Sequence, residues 1–290
     1  MIDVVWDMET GDPDDFLTLL LLCGHPEVRL KAVTITPGTP EQVGFVRWGL
    51  AQFGLDIPVG AYNIDHPKQC LSRWHERVYG AAPPSRDARP GWEVLRDCCD
   101  ADTTLITGAP LKNLGALLRR DDCDDFVLGR WVAQGGFAGR GVVPPALQLT
   151  KFKNLDAVPT YNFGGAPRAA ERALMDPRIR SRRLVSKNVC HRVYYDRDVH
   201  ERVAPLREQS LAMALIWKGM EAYLRKRAGG KKFHDPLAAC CAIDENIGTW
   251  KEVQMFRRGG KWGAERAPGS GTWIIIDYDR SLFLETLTQI

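Results

Sequence analysis

The sequence has no apolar run long enough to cross a bilayer. Its longest, Phe16 to Cys23, is broken only by Thr18 and covers 8 residues, against the roughly 20 that a membrane helix needs. No basic segment precedes an apolar stretch at the start, where Asp3 and Asp7 come first, so a secretory signal is not expected and a cytoplasmic location is. Cysteine is sparse: the 8 in 290 residues include the vicinal pairs Cys98-Cys99 and Cys240-Cys241 but no C-x-x-C. That excludes a disulfide scaffold and favours small buried hydrophobes over zinc ligands. A large net charge is missing too. Lys+Arg at 39 against Asp+Glu at 36 leave only +3, too little to hold a polyanion by bulk attraction, so neither a nucleic-acid polymer nor a membrane is an expected partner. Internal repeats and linker-like composition breaks are absent, and residues 1–290 read as one domain.

What is present is a globular composition, 44% hydrophobic and 26% charged, with enough chain to bury a sizeable core. The charge is unevenly placed. Residues 1–28 carry Asp3, Asp7, Glu9, Asp12, Asp14, Asp15 and Glu27 with no Lys or Arg, a local charge of −7 against +10 in the remainder.

Ile2–Trp6 reads as a buried strand, and Asp12-Pro13 starts a helix through Cys23, with Asp at the N-cap and Pro at the first helical position. Leu30–Ile35, Pro40–Phe53 and Ile57–Val59 continue as strand, helix and strand. Thr103–Thr107, Leu111–Arg120 and Phe126–Ala133 repeat the alternation, and Ala166–Met175 is helical. Leu184–Val193 is expected to be extended, Glu208–Arg227 to be a long helix, Leu237–Ile243 a small-residue helix, and 250–277 a hairpin region. Asp65–Pro90 and the stretch from Gly135-Gly136 to Asn162 read as long irregular excursions. Alternating β and α elements predict a single-domain α/β fold with an open, mainly parallel (mixed) sheet flanked by helices. In such sheets ligands lie beyond the carboxyl ends of the strands, where the acidic turn, Thr107-Gly108 and Gly135-Gly136 converge.

Five acids between Asp7 and Asp15 repel one another unless a cation joins them. Hard carboxylate oxygens favour Ca²⁺ or Mg²⁺ over zinc, and calcium tolerates irregular geometry. An acid beside the cation can then activate a water. The alternative is a solvated helix start in which Asp14 and Asp15 only complement the dipole. His234-Asp235-Pro236 opens a second helix that could face the same crevice.

Taken together, these motifs resemble the inosine-uridine nucleoside hydrolase family. Asp7-Met8-Glu9-Thr10-Gly11-Asp12-Pro13-Asp14-Asp15 is similar to the family's D-x-D-P-G-x-D-D, and Thr107-Gly108-Ala109-Pro110-Leu111-Lys112-Asn113 to its G-P-L-T-N turn. Gln134-Gly135-Gly136 is similar to M-G-G, Tyr161-Asn162 to the E-F-N before a D-P-E-A-A helix, and His234-Asp235-Pro236 closes the series in the same order. The resemblance implies a Rossmann-like nucleoside hydrolase fold and calcium-dependent hydrolysis of a ribonucleoside's N-glycosidic bond. It implies Asp15, Asp235 and the Thr107 carbonyl as calcium ligands, Asp14 as the base activating water, Asn162 on the ribose and His234 as proton donor to the departing base. Gln134 joins the substrate-binding set, and assembly as a homo-oligomer, a dimer or tetramer, is implied as well.

Departures from the pattern matter as much. The first turn is one residue longer than the family's, so the first acidic ligand is Glu9 or Asp12. Glu9 is preferred because it keeps its place two residues after Asp7. The family Asn after the second strand becomes Thr39, the Glu before F-N becomes Thr160, and Gly141–Pro159 is longer than usual. These positions would touch the sugar, so the expected substrate is a nucleoside altered near its 5′ position or in its base. His75 lies where the family presents base contacts, with Trp74, Tyr79 and Phe137 as stacking candidates. Two rival readings are a haloacid-dehalogenase-like phosphatase, which also ends its first strand in acids but gives His234-Asp235 no role, and a nucleoside- or sugar-binding protein with a degenerate pocket.

Overall fold

The computed structural model describes residues 1–290. Its 13 strands are β1 (Ile2–Met8), β2 (Val28–Ile35), β3 (Val59–Ala61), β4 (Arg89–Pro90), β5 (Thr103–Thr107), β6 (Leu128–Gln134), β7 (Ala157–Val158), β8 (Ile179–Val185), β9 (Tyr194–Tyr195), β10 (Lys231–Lys232), β11 (Gly248–Arg258), β12 (Lys261–Arg266) and β13 (Thr272–Tyr278). Eleven of them form one sheet in the order β4-β3-β2-β1-β5-β6-β8-β13-β11-β12-β7, and β9 pairs with β10 in a ribbon. From β4 to β13 the strands are parallel, and β11, β12 and β7 extend the sheet antiparallel. The sheet is therefore mixed and mostly parallel, as expected.

β1 is central and continuously buried from Val4 to Met8, as a strand covered by helices on both faces must be. The chain leaves it outward through β2, β3 and β4, then returns to its other side with β5 and proceeds through β6 and β8. The connections thus reverse direction between β1 and β5, where Asp7 pairs in register with Thr107. That reversal opens a crevice at the strands' carboxyl ends.

Two apolar layers hold the sheet. Phe16, Leu20, Phe45, Ile216 and Leu237 belong to the cluster on one face, and Leu105, Leu114, Trp131, Phe163 and Ala170 to the cluster on the other. Each of the larger aliphatic and phenyl side chains contributes roughly 1.5–3 kcal/mol by leaving water. The helix Pro13–Gly24 packs on helices Leu211–Leu224 and His234–Ile243, so the acidic turn and the His-Asp pair are carried by elements sharing one core.

Two expectations change here. The stretch 184–193 is not extended throughout: β8 begins earlier, at Ile179, and after Val185 the chain makes a helical turn, Lys187–Cys190. The strand is hidden in the sequence by its arginines, yet Arg182 is buried with its guanidinium on the carbonyls of Ala173 and Asp176. Asp65–Pro90 contains a helix, Arg73–Tyr79, whose N-cap Ser72 accepts from the Trp74 amide. The cysteines are all unpaired, and five of them, including Cys240 and Cys241, are buried.

Candidate active site

The carboxyl end of β1 begins the site. Asp7 is fully buried and accepts from Thr34 Oγ1 at 2.6 Å and Asn113 Nδ2 at 2.8 Å. Burial raises its carboxyl to about 6 despite those bonds. It ties β1 to β2 and to the turn after β5 rather than facing the crevice. Beyond it, the Glu9 amide donates to Asp15 Oδ1 at 3.1 Å, folding the turn back on the helix it precedes.

A cavity of about 420 Å³ opens there, lined by Glu9, Asp12, Asp14, Asp15 and Asp235 together with Gly11, Gly108, Gln134, Tyr161, Asn162 and His234. Sequence positions spread from 9 to 235 meet in one place.

Reading the sequence alone missed Lys231. Its ammonium, on a side chain only 5% exposed, lies 2.8 Å from Asp14 Oδ1, 3.1 Å from Asp12 Oδ1 and 2.8 Å from the Lys232 carbonyl. The only signal was its place three residues before the His234-Asp235 motif, and a Lys-Lys pair ordinarily reads as surface. Asp12 occupies the N-cap position of Pro13–Gly24, but its side chain makes no cap bond; the carboxylate turns to Lys231 instead. Asp14 also accepts from the amides of His234 at 3.0 Å and Asp235 at 3.3 Å, so a residue of one helix caps another. Burial pushes Asp14 upward, but the Lys231 ammonium and these donors outweigh it and hold the carboxyl below its usual value.

Lys231 serves only half of the cluster. Asp15 and Asp235 are buried, and neither has a cationic side chain within 4 Å. Asp15 takes only the Glu9 amide, and the Asp235 carboxylate accepts no hydrogen bond. Burial first, then repulsion from neighbouring carboxylates, holds both well above the usual carboxylate range. Two buried carboxylates without a counter-charge cost several kcal/mol each when ionised. One oxygen each from Asp14, Asp15 and Asp235 lies within 4.8 Å of the others, a spacing suited to a shared metal ion. Gly108 keeps the space open, since a Cβ there would come within 2.8 Å of Asp235 Oδ1 and 2.3 Å of the Trp6 ring. A hard divalent cation fits this donor set. Glu9, raised to about 7 by burial and by Asp12 and Asp14 against a weak 3.4 Å bond from Tyr161, borders the same oxygens.

Asn162 lines the cavity, with Nδ2 donating toward the Gly108 and Gln134 carbonyls and Gln134 Oε1 at 2.8–2.9 Å. That clamp fixes its orientation and leaves Oδ1 as its uncommitted acceptor. Gln134 is therefore both lining and support. Thr107 is buried at the end of β5, its Oγ1 accepting from Trp131 Nε1 at 2.9 Å, with Gly108 next to it in the cavity wall. His234 lines the cavity and its Nε2 has no partner. Burial is the main reason its imidazole falls to about 4, with Asp14 opposing.

Six expected contacts lie outside the cavity lining. His75 is fully buried, edge-on to Phe16 at 5.5 Å and Phe45 at 5.3 Å, its Nδ1 3.1 Å from the Ser72 carbonyl. It is a core residue, not a base contact, because the unforeseen helix Arg73–Tyr79 turns it inward. Tyr79 and Phe137 are buried as well, and Trp74 borders a different hollow. Thr39 caps Pro40–Gln52 in a reciprocal box with Gln42 and does not line the cavity. Thr160 is buried with Oγ1 unpartnered, and it does not line the cavity either.

Five carboxylates and a His-Asp helix start gather at the reversal point of a mostly parallel α/β sheet, the arrangement that the resemblance in sequence implies. The model of the family described as inosine-uridine preferring nucleoside hydrolase matches residues 4–283, and the chain belongs to that family and is an N-ribohydrolase. An uncharacterised protein of Aquifex aeolicus (strain VF5) is 29% identical over 291 residues, covering 96% of each chain. The fold is shared with an inosine-uridine preferring nucleoside hydrolase from Bacillus anthracis, at TM-score 0.72 and 17% identity over 99% of this chain and 98% of that one. It is shared also with a purine-preferring ribonucleoside hydrolase from Gardnerella vaginalis, at TM-score 0.69 and 17% identity over 99% and 96%. The phosphatase reading is set aside, because His234 and Asp235 face the acidic turn across one cavity.

Proposed function

We propose that the protein hydrolyses the N-glycosidic bond of a ribonucleoside in a calcium-dependent reaction, releasing free base and ribose. The observation that carries this reading is the pair of buried carboxylates Asp15 and Asp235, neither with a cationic side chain beside it, next to Glu9 and His234 in one cavity. Asp15, Asp235, Glu9 and the Thr107 carbonyl are the proposed calcium ligands, with Asp12 assigned to Lys231 instead. Calcium, when bound, would neutralise these carboxylates and make a neighbouring water more acidic.

The chain's own groups divide the remaining work. Glu9 is the better base, since it lines the cavity beside these oxygens and is engaged only by a weak 3.4 Å bond from Tyr161, so one oxygen can hold the ion while the other takes the proton of a neighbouring water. Asp14 remains ionised, but its lone pairs are engaged by Lys231 and two amides; it serves to hold the ribose and to stabilise positive charge at the anomeric carbon as the bond to the base lengthens. Asn162, clamped by Gln134, orients the sugar. His234, neutral with an uncommitted Nε2, hydrogen-bonds the departing base through Nε2–H; as that proton passes to the base, Nδ1 takes one up from solvent, so the ring stays neutral.

Release of reducing sugar and free base from a panel of nucleosides tests the activity, with EDTA and calcium add-back testing the cation. Glu9→Gln is expected to reduce kcat by about 10²–10⁴, with a smaller loss for Asp14→Asn. A larger loss for Asp14→Asn would return the base to Asp14. Assembly as a dimer or tetramer and a cytoplasmic setting belong to the same proposal, and light scattering on the purified protein tests the assembly.

A further inference from the structure

Beside the cavity, on the His234 side, the protein gathers positive charge without balancing it. The rings of His191 and His234 stack at 5.0 Å and 12°, and Lys151 Nζ donates to His191 Nδ1 at 2.6 Å. Lys187 Nζ reaches the Pro159 carbonyl at 2.8 Å, two residues before Tyr161 in the cavity wall. Lys232 is bound through its carbonyl to Lys231, whose ammonium is committed to Asp12 and Asp14. Three separate elements thus bring Lys151, Lys187 and Lys232 to one edge of the site.

None of these three lysines has a carboxylate within 4 Å; among the lysines only Lys31 and Lys231 do, and what sets the three apart is that they meet beside the cavity. Asp14, the carboxylate acting on His234, is already held by Lys231. Lys151 and Lys187 both fall below the usual lysine value, burial being the larger cause and Lys232 adding repulsion. The imidazole of His191, stacked on His234, is lowered to about 3 by burial and these same charges. Like charges gathered at one edge of the site, with no counter-charge in the protein, suit an anion from outside. Ammonium groups on flexible stems suit a compact anion such as phosphate or carboxylate.

We infer that Lys151, Lys187 and Lys232 form a subsite for an anionic group on the nucleoside, so that the preferred substrate is a phosphorylated or carboxylated nucleoside rather than a neutral one. This rests on the hydrolase reading above and specifies its substrate class. The loop bearing Lys151 lies in the long stretch 141–159, and the subsite gives that insertion a role.

The test uses the full-length protein and a Lys151→Ala/Lys187→Ala double variant, with thermal melts showing that both fold. Base release is measured for a neutral nucleoside, its 5′-monophosphate and a nucleoside with a ring carboxylate. The expected wild-type kcat/KM is at least about tenfold higher for one anionic substrate than for the neutral parent, and the double variant loses that ratio by roughly tenfold or more, as expected for a charge-assisted contact. Which substrate gains tells whether the anion sits on the sugar or on the base. Equal values for all three, unchanged in the variant, would overturn the subsite. Inorganic phosphate, titrated calorimetrically, separates this from the activity itself: binding that is lost in the variant supports the subsite even if no nucleoside is cleaved, whereas no binding and no anionic preference rejects it.

Discussion

The ammonium of Lys231 lies 2.8 Å from Oδ1 of Asp14, a residue 217 positions away in sequence, and both side chains are almost completely buried. This ion pair divides the acidic pocket. Asp12 and Asp14 have an internal cation, whereas Asp15 and Asp235 have none. The division leaves Asp15 and Asp235 as the buried carboxylates still in need of a counter-charge, which is the place the proposal gives to calcium.

Replacing Lys231 with Met removes the internal cation and leaves Asp14 buried and unpaired. Stability in EDTA is expected to fall by about 3–5 kcal/mol. Calcium should restore more of the melting temperature in the variant than it adds to the wild type, since the pocket is then more negative. Equal calcium shifts in the two proteins would show that Lys231 and the metal do not share a field.

Asp235→Asn is expected to act in the opposite direction. It removes a buried charge that repels Asp14 and Glu9, so the metal-free protein should melt at a higher temperature. The calcium-induced rise should vanish with the lost ligand. A retained calcium shift, read by scanning fluorimetry, would remove Asp235 from the metal site.

Gly108→Ala places a methyl group 2.3 Å from the Trp6 ring and 2.8 Å from Asp235 Oδ1. The clash involves a core ring rather than a flexible side chain, so an overpacking cost of about 1–3 kcal/mol is expected, with a weaker calcium response. Denaturant titration with and without calcium measures both. An unchanged midpoint in each condition would mean that the glycine is not required for close approach.

His75 gives stability a pH dependence. Burial lowers its imidazole to about 4, below the ordinary 6.5 of an unfolded chain. Between those values the unfolded state binds the extra proton, so stability is full above about pH 6.5 and is lost as the pH falls toward 4. The difference is worth about 3 kcal/mol once both states are protonated. In His75→Phe, packed among Phe16, Phe45 and Tyr79, the slope of unfolding free energy across pH 4–6.5 should flatten by that amount. An identical slope in wild type and variant would place the acid sensitivity in other groups.

Local chemistry made much of this protein readable from its residues. The β-branched run before Asp7, the Asp-Pro helix start and the alternating strand and helix patterns each depend on neighbours a few positions apart. They determined the fold class, and the direction of parallel strands then placed the acidic turn and Thr107-Gly108 at one edge. The family motifs, with Asp14, Asp15, Asn162, His234 and Asp235 all lining one cavity, were legible for the same reason. What tertiary structure alone decided were choices between partners distant in sequence. Asp12 could cap its own helix or meet Lys231, and packing of β10 against the acidic turn settled it for the lysine. His75 and Thr39 carried side chains suited to a binding site, but a short helix turned the first into the aromatic core and Gln42 engaged the second. Lys151, Lys187 and Lys232 look like solvated charges in the sequence, and only the fold brings them to one edge without a carboxylate. Burial and charge balance are properties of the assembled space, and no spacing along the chain reports them.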